Sequence, residues 1–324
     1  MTAVGHRSRL DSCAGAVLAS PGLRGKAAIA LVSEIMGPSS WLSGPGDDGA
    51  AVAVGDASVV ACGEAIWPPF VQADPYGAGF AAVLANVNDV AAMGARPLGI
   101  IDTVVGDTAF ARAALTGMRD ACELYDVPIL GGHLTTYDGP PSISAFAFGS
   151  GGRPSDLLSC TNVRAGQELV VVACLDGTMR ADFPFFRSFA ERGRQLAGDV
   201  RTLAEVAEAG LARAAKDISM AGLVGSAAML LEWSRCGITI DLDAVPTPAG
   251  VELEAWLTCF PCFGFLLCCE PAMVEKCVET FTSRGLTAQS VGVLVAGGVV
   301  ALRLGDEVRQ VLDLSIEPVT GLAR

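Results

Sequence analysis

Apolar side chains recur at helical spacing over residues 25–36 (Ala28, Ile29, Val32, Ile35), which predicts a helix after a patternless N-terminus. Residues 50–62 run apolar and alternating on either side of Gly55-Asp56, the pattern of two strands joined by a tight turn. An alanine-rich helix is predicted over 76–93, ended by Gly94 and Pro97. A buried strand at 98–105, an amphipathic helix at 109–125 and strands at 127–130 and 142–149 complete this half.

The composition then shifts. Gly149-Ser150-Gly151-Gly152-Arg153-Pro154 reads as a linker, and the second half opens with a strand at 168–174. Helices are predicted near 199–214 and 220–233, strands at 237–241, 263–269 and 291–303, and a helix at 271–284. Strands and helices mix in both halves, so the expected class is α+β, or mixed α/β. The expected organisation is an N-terminal segment with a helix (1–40), a first domain (41–152) and a second domain (160–324).

The charge balance narrows the function. Lys and Arg number 22 against 35 Asp and Glu, a formal charge of −13 over 324 residues. Nucleic acid and anionic membranes demand concentrated basic side chains, so neither is an expected partner. A nucleotide stays compatible, because a divalent cation and a few local basic groups can manage its phosphates. The longest uncharged apolar run, 255–269, is too short to span a bilayer and carries Pro261. Arg7 and Arg9 before an apolar stretch at 13–20 faintly suggest an export signal, but that stretch is brief and Arg24 and Lys26 continue into a helical pattern. A cytoplasmic location is expected, with 11 cysteines in no framework spacing read as reduced thiols.

What remains is a set of acids and amides beside glycine: Asp47 and Asp48 between Gly46 and Gly49, Glu64, then Asn86, Asn88 and Asp89, and finally Asp217 with Ser219. Carboxylates cannot face phosphates unless a cation lies between them, so these acids point to a Mg²⁺–nucleotide site. Gly44 to Gly49 also matches G-x-G-x-x-G. No buried strand leads into it, no helix starts at its last glycine, and its two aspartates would repel a pyrophosphate. A solvated Asp-Asp turn is the plainer account of that segment.

The helix is more telling. Asn86 and Asp89 share one face amid Ala81, Ala82, Val83, Leu84, Val87, Ala91 and Ala92. Buried there, they need partners; a metal or a phosphate's water shell would serve, and so would neighbouring backbone. Gly131 and Gly132, after a short strand, let backbone N–H groups approach an anion, with His133 beside them. A lone histidine is more often structural. Lys26, in the glycine-rich stretch 22–26, is a candidate phosphate ligand or an ordinary surface lysine. Asp217 and Ser219 precede a helix at Gly222, where they could act only as caps. Cys259-Phe-Pro-Cys262 has the look of a redox pair, but it runs into an apolar strand rather than a helix, which favours inert buried thiols.

Taken in order, GDDGAAV at 46–52, NVNDVAAMGARPLGIID at 86–102, ILGGH at 129–133, VRAGQELVVV at 163–172 and KDISMAGLVGSAAMLLE at 216–232 resemble the aminoimidazole ribonucleotide (AIR) synthetase superfamily, and more closely its AIR synthase-related group. That superfamily includes AIR synthetase, thiamine monophosphate kinase, selenophosphate synthetase, formylglycinamidine ribonucleotide synthetase and the hydrogenase-maturation carbamoyl dehydratase. The resemblance covers nearly the whole chain from about residue 25. It implies two α/β domains, a homodimer in which N-terminal sheets pair into a barrel, and ATP in a glycine-rich cleft loaded with Mg²⁺. By motif, Asp48, Glu64, Asp89 and Asp217 are expected metal ligands. Asp47, Asp48, Asn86, Asn88, Asp89, Gly131, Gly132 and Ser219 are expected nucleotide contacts, and Lys26, His133 and Asp217 form the expected catalytic set.

The departures from the family matter. Glu64 stands where relatives carry an aspartate, His133 where thiamine monophosphate kinase has an aspartate, and Met220 where that kinase has a second one. The N-terminal pattern of selenophosphate synthetase and the C-terminal cysteine of the dehydratase are missing. The expected activity is Mg²⁺–ATP-dependent phosphorylation of a carbonyl or amide oxygen on a small molecule. A small-molecule kinase, or a nucleotide-binding protein that has lost turnover, are the alternatives. The substrate is not legible, although Trp67–Phe70 and Arg180–Phe186 are candidate lining segments.

Overall fold

A computed structural model of the chain describes residues 8–37 and 46–322. Gly44, the first glycine of the G-x-G-x-x-G match, lies outside them, as does Arg7. The N-terminal helices are α1 (Arg9–Ala19), α2 (Pro21–Arg24) and α3 (Ala30–Met36), with a 3-10 turn over Gly25–Ile29. There follow β1 (Ala50–Val54), β2 (Ala57–Ala65), α4 (Pro68–Ala73), α5 (Pro75–Ala92), β3 (Arg96–Gly106), α6 (Thr108–Tyr125), β4 (Ile129–Thr136) and β5 (Ser142–Gly151). Next come β6 (Glu168–Ala173), β7 (Thr178–Met179), β8 (Phe185–Arg187), α7 (Phe189–Arg192), α8 (Gln195–Glu208), β9 (Ala214–Asp217), α9 (Gly222–Glu232) and β10 (Cys236–Asp241). The chain closes with α10 (Leu253–Thr258), β11 (Phe260–Pro261), β12 (Gly264–Cys269), α11 (Val274–Thr282), β13 (Thr287–Ala296), β14 (Val299–Leu304) and β15 (Glu307–Asp313). Among the described residues no helix is long and apolar enough to cross a membrane.

The chain forms two compact units. One comprises residues 47–158 and 191–210. Its five strands run in the order β1-β2-β5-β3-β4, antiparallel except for the β3–β4 pair. Helices α5 and α6 cover one face, so alternate residues of β3 (Ile100, Asp102, Val104) are buried while Leu98 is half exposed. Strand β4 is an outer strand, and its side chains are exposed throughout.

Helix α8 joins this unit although it lies well beyond the linker. Its apolar side, Leu196, Val200, Leu203 and Val206, is buried, and a salt bridge between Arg192 and the buried Asp199 (2.7 Å) fixes its start. Arg201 donates to the main-chain oxygens of Tyr125 (3.3 Å) and Asp126 (2.7 Å). Those carbonyls end α6, where a cation is favoured by the helix dipole.

The other unit comprises residues 1–46, 159–190 and 211–324. Seven strands run in the order β15-β14-β10-β13-β6-β12-β9, with a small sheet β11-β8-β7 beside them. Strands β6 and β12 are buried almost end to end, which matches their continuous apolar runs.

Four readings of the sequence change here. The patternless N-terminus contains α1, capped by Ser8, whose hydroxyl accepts the Asp11 N–H (3.2 Å); Leu10, Cys13, Ala14 and Val17 enter the core of this unit. The apolar stretch that faintly suggested an export signal is therefore largely a core helix face. The helix predicted over 199–214 ends at Glu208, and Ala214–Asp217 is a fully buried strand. The single strand predicted at 291–303 is two, β13 and β14, folded about Gly297-Gly298, whose positive φ values (116° and 75°) turn the chain. Strand β15 was not foreseen.

Candidate active site

In the unit of 47–158, a glycine brings the two central acids together. A Cβ at Gly49 would meet Val60 Cγ1 at 3.1 Å, the Ala61 carbonyl oxygen at 3.2 Å and Met93 Cγ at 3.3 Å. Only a residue without a side chain lets this turn lie so close to β2 and to the residue that ends α5. Asp48 precedes Gly49, and Asp89 stands one helical turn before Met93. Carboxylate oxygens of Asp48 and Asp89 consequently approach within 4.8 Å of each other. Asp48 is half-buried and Asp89 is 6% exposed, so the pair is largely withdrawn from water. Two hard oxygen donors at this spacing suit a divalent cation such as Mg²⁺.

Asn86 and Asn88 are both fully buried beside Asp89. The Asn86 amide is engaged inside the unit: its Nδ2 donates to the carbonyl oxygens of Ala82 (2.8 Å) and Ala145 (3.2 Å). The Cys62 thiol donates to Asn86 Oδ1 and to its main-chain oxygen, both at 3.3 Å. Asn86 thus ties α5 to β2 and β5 through these bonds. Asn86→Ala is expected to cost about 1–3 kcal/mol, since it strands a buried carbonyl; urea unfolding measures it.

Cys62 also reports on the charge around it. Burial first, and then the carboxylates of Asp89, Glu64 and Asp48, push its thiol well above the ordinary range. Glu64 is therefore close enough to add to the local negative potential. Its side chain is exposed on β2, however, and among the described residues it joins no ligand cluster with Asp48 and Asp89.

Gly131, Gly132 and His133 lie inside β4, which runs on past the strand expected to end at 130. Their backbone belongs to a parallel ladder in which Gly132 pairs with Asp102 and His133 with Thr103. The glycine has another reason here. A Cβ on Gly132 would sit 2.5–2.7 Å from the carboxylate atoms of Asp102. Asp102 is 6% exposed, and burial raises its carboxyl above the usual aspartate range. Sequence reading passed over it. The signal was a buried-strand pattern interrupted by an acid, opposite a glycine pair.

Because Asp102 is raised in the folded state, its stabilising contribution is present below the unfolded value of about 3.9 and is lost as pH rises through the folded one. Asp102→Asn is therefore expected to raise the thermal midpoint at pH 7 and to leave it unchanged near pH 3. Scanning calorimetry at the two pH values checks this.

In the other unit, Asp217 ends β9, 3% exposed, in register with Phe265 of β12. Lys216 beside it is 5% exposed. The Ser219 N–H donates to Ser226 Oγ (3.4 Å), and α9 starts after Ala221 with no side-chain cap, so neither Asp217 nor Ser219 is its N-cap. Helix α2 docks on the same loop, with Gly22 packed against the Met220 carbonyl, and Lys26 follows half-buried in the 3-10 turn. Cys259 and Cys262 are fully buried; burial pushes the Cys259 thiol up to about 12, in keeping with inert thiols. Arg180 is paired with Asp182 (2.8 Å), and Phe186 packs edge-on against Trp256 (5.3 Å), so part of the 180–186 segment serves packing.

The mixed α/β chain thus presents a half-buried carboxylate from a GDDG turn beside a buried one from an N-x-N-D helix. Family models for AIR synthase related protein match it twice: the N-terminal domain over residues 46–150 and the C-terminal domain over 187–305. The chain belongs to the AIR synthase-related family of the AIR synthetase superfamily. An uncharacterized protein of Synechocystis sp. is 34% identical over 279 residues, covering 85% of this chain and 86% of its own. Among solved structures, PurL of T. maritima complexed with FGAR superposes with a TM-score of 0.77 at 20% identity, covering 98% of this chain and 54% of that one. The same protein complexed with ATP gives 0.72 at 24% identity, over 90% and 49%. This chain thus spans about half of PurL. AaThiL complexed with AMPPCP and TMP gives 0.65 at 18% identity, over 88% and 96%.

Proposed function

We propose that the protein is a Mg²⁺–ATP-dependent enzyme that activates a small molecule by phosphorylating one of its carbonyl or amide oxygens. The observation that carries this reading is the approach of the Asp48 and Asp89 carboxylates in a setting with oxygen donors and little water. Solved relatives complexed with ATP, with AMPPCP and with FGAR support it. Mg²⁺, when bound, would neutralise phosphate charge. Asp48 and Asp89 would hold it, and Asp217 carries the family's motif for a further ligand. Lys26 and Ser219 are the groups proposed to orient the phosphates.

In the reaction, the substrate oxygen takes the γ-phosphoryl group, and ADP leaves. A nucleophile, internal or external, then displaces phosphate from the activated carbon. Most of the rate enhancement comes from positioning and charge neutralisation. Glu64 sits near enough to strengthen the field without acting as a ligand in this arrangement, and His133, exposed on β4, faces solvent or a second subunit.

The test is to supply Mg²⁺–ATP with candidate amides and phosphorylated metabolites and to follow ADP, phosphate and product by mass spectrometry. ADP and free phosphate together with a cyclised or dehydrated product support the reading. A stable phosphorylated product would instead make the protein a kinase, as thiamine monophosphate kinase is. ATP bound with no turnover across the panel would leave a nucleotide-binding protein.

We further propose a cytoplasmic homodimer. Exposed Leu98, Leu130 and Phe146 on the five-stranded sheet, with the open edge of β4, support the dimer. The 11 cysteines, all free, support a reducing compartment. Sedimentation velocity giving a monomer at micromolar concentration would remove the first of these.

A further inference from the structure

A cavity of about 390 Å³ opens between α6 and the end of β4, and none of its lining residues is among those assigned above to nucleotide or metal. That volume falls within the range that holds small metabolites. Its floor is apolar: Ala111, Leu115 and Leu134. Its polar groups are unusual for a chain with 22 basic and 35 acidic residues.

Arg112 lines the cavity, and no ion pair or hydrogen bond engages its guanidinium among the described residues. The hydroxyls of Thr108 and Thr136 line it as well and are likewise uncommitted there. Of the other polar lining groups, Arg119 and Thr116 are engaged, while Asp107 keeps its carboxylate charge. The Asp107 carboxylate accepts the Phe110 N–H at 2.8 Å as the N-cap of α6. Arg119 is held by Asp120 (2.6 Å), whose other oxygen accepts from Tyr76 Oη (2.9 Å). Thr116 Oγ1 donates to the Arg112 main-chain oxygen (2.7 Å). What the cavity offers is thus one uncommitted cation and two hydroxyl donors above a hydrocarbon floor, with the Asp107 carboxylate at its rim.

We infer that this cavity is a binding site for a small organic oxyanion, with its phosphate or carboxylate on Arg112, Thr108 and Thr136 and its body on Leu115 and Leu134. A guanidinium recognises a planar or tetrahedral oxyanion through paired N–H donors, and Arg112, Thr108 and Thr136 are all exposed and within reach of a ligand from solvent. The site needs neither the metal nor the nucleotide, so it stands apart from the proposed reaction.

The test uses the full chain in EDTA, which removes any metal-dependent phosphate binding. Calorimetry and thermal shift are run with ribose 5-phosphate, inorganic phosphate and succinate on the wild type, Arg112→Gln and Thr136→Val. The expected result is saturable binding of at least one probe, weakened about tenfold or more in Arg112→Gln and by a smaller factor in Thr136→Val. Preference for ribose 5-phosphate over succinate assigns a phosphate ester; the reverse assigns a carboxylate. No binding of any probe up to 10 mM, or equal binding in both folded variants, would overturn the inference.

Discussion

Asp89→Ala is expected to lower Mg²⁺-dependent ATP binding by more than 100-fold, beyond the roughly 10–100-fold caused by losing a group one shell away from a metal. The expectation follows from the place of the side chain. Asp89 comes from the buried face of α5, its carboxylate lies within 4.8 Å of that of Asp48, and it is only 6% exposed. Water cannot readily take over the role of a missing carboxylate at such a position. Asp89→Asn keeps the volume and removes the charge, so it separates charge from packing, and it is expected to be nearly as severe. Calorimetry with ATP, run with Mg²⁺ and again with EDTA, checks both variants. Circular dichroism confirms the fold. Unchanged affinity in folded Asp89→Ala would remove the metal reading.

Glu232→Ala is expected to lower the stability of the chain by about 3–5 kcal/mol. Glu232 ends α9, where an acid is disfavoured by the helix dipole, and it is 3% exposed. It is tolerated because its carboxylate accepts three hydrogen bonds from the C-terminal tail. The Thr320 N–H donates at 2.8 Å, Thr320 Oγ1 at 2.9 Å and the Gly321 N–H at 2.9 Å. Alanine would leave all three donors without an acceptor in a buried place. Glu232→Gln keeps one acceptor and is expected to lose about half as much. Urea unfolding at pH 7 reads both, and a midpoint that does not move in Glu232→Ala would refute the account.

The long apolar helix α5 and its flanking strands were legible because their periodicity persists over many residues and ends in clear punctuation. The GDDG turn and the N-x-N-D face were legible as a site because acids buried in an alanine-rich segment demand an explanation. The internal role of Asn86 was not legible. The partner that satisfies it, the Ala145 carbonyl, lies 59 residues away. No local pattern carries that information. The strand expected to end at 130 continues through the Gly-Gly-His segment to 136, because an exposed outer strand has no alternation to betray it. The helix predicted to 214 overran because the alanine-rich residues after Gly210 keep helical composition; burial on a central sheet overrides that propensity. Asp102 escaped notice because its significance rests on what faces it across the ladder.

The allotment of α8 to the unit of 47–158 affects how the chain is made. The main chain passes between the units at 46/47, 158/159, 190/191 and 210/211. During synthesis, the unit that carries Asp48 and Asp89 stays unfinished until residue 210 has left the ribosome, with the surface that α8 will cover still bare. A polypeptide cut at the linker near 152–160 would inherit the same defect permanently. Its first half would retain the acidic motif yet lack its own last helix. Co-expression of the two halves, or of residues 47–158 with a tethered 191–210 peptide, would tell whether that missing helix is what a nascent chain waits for.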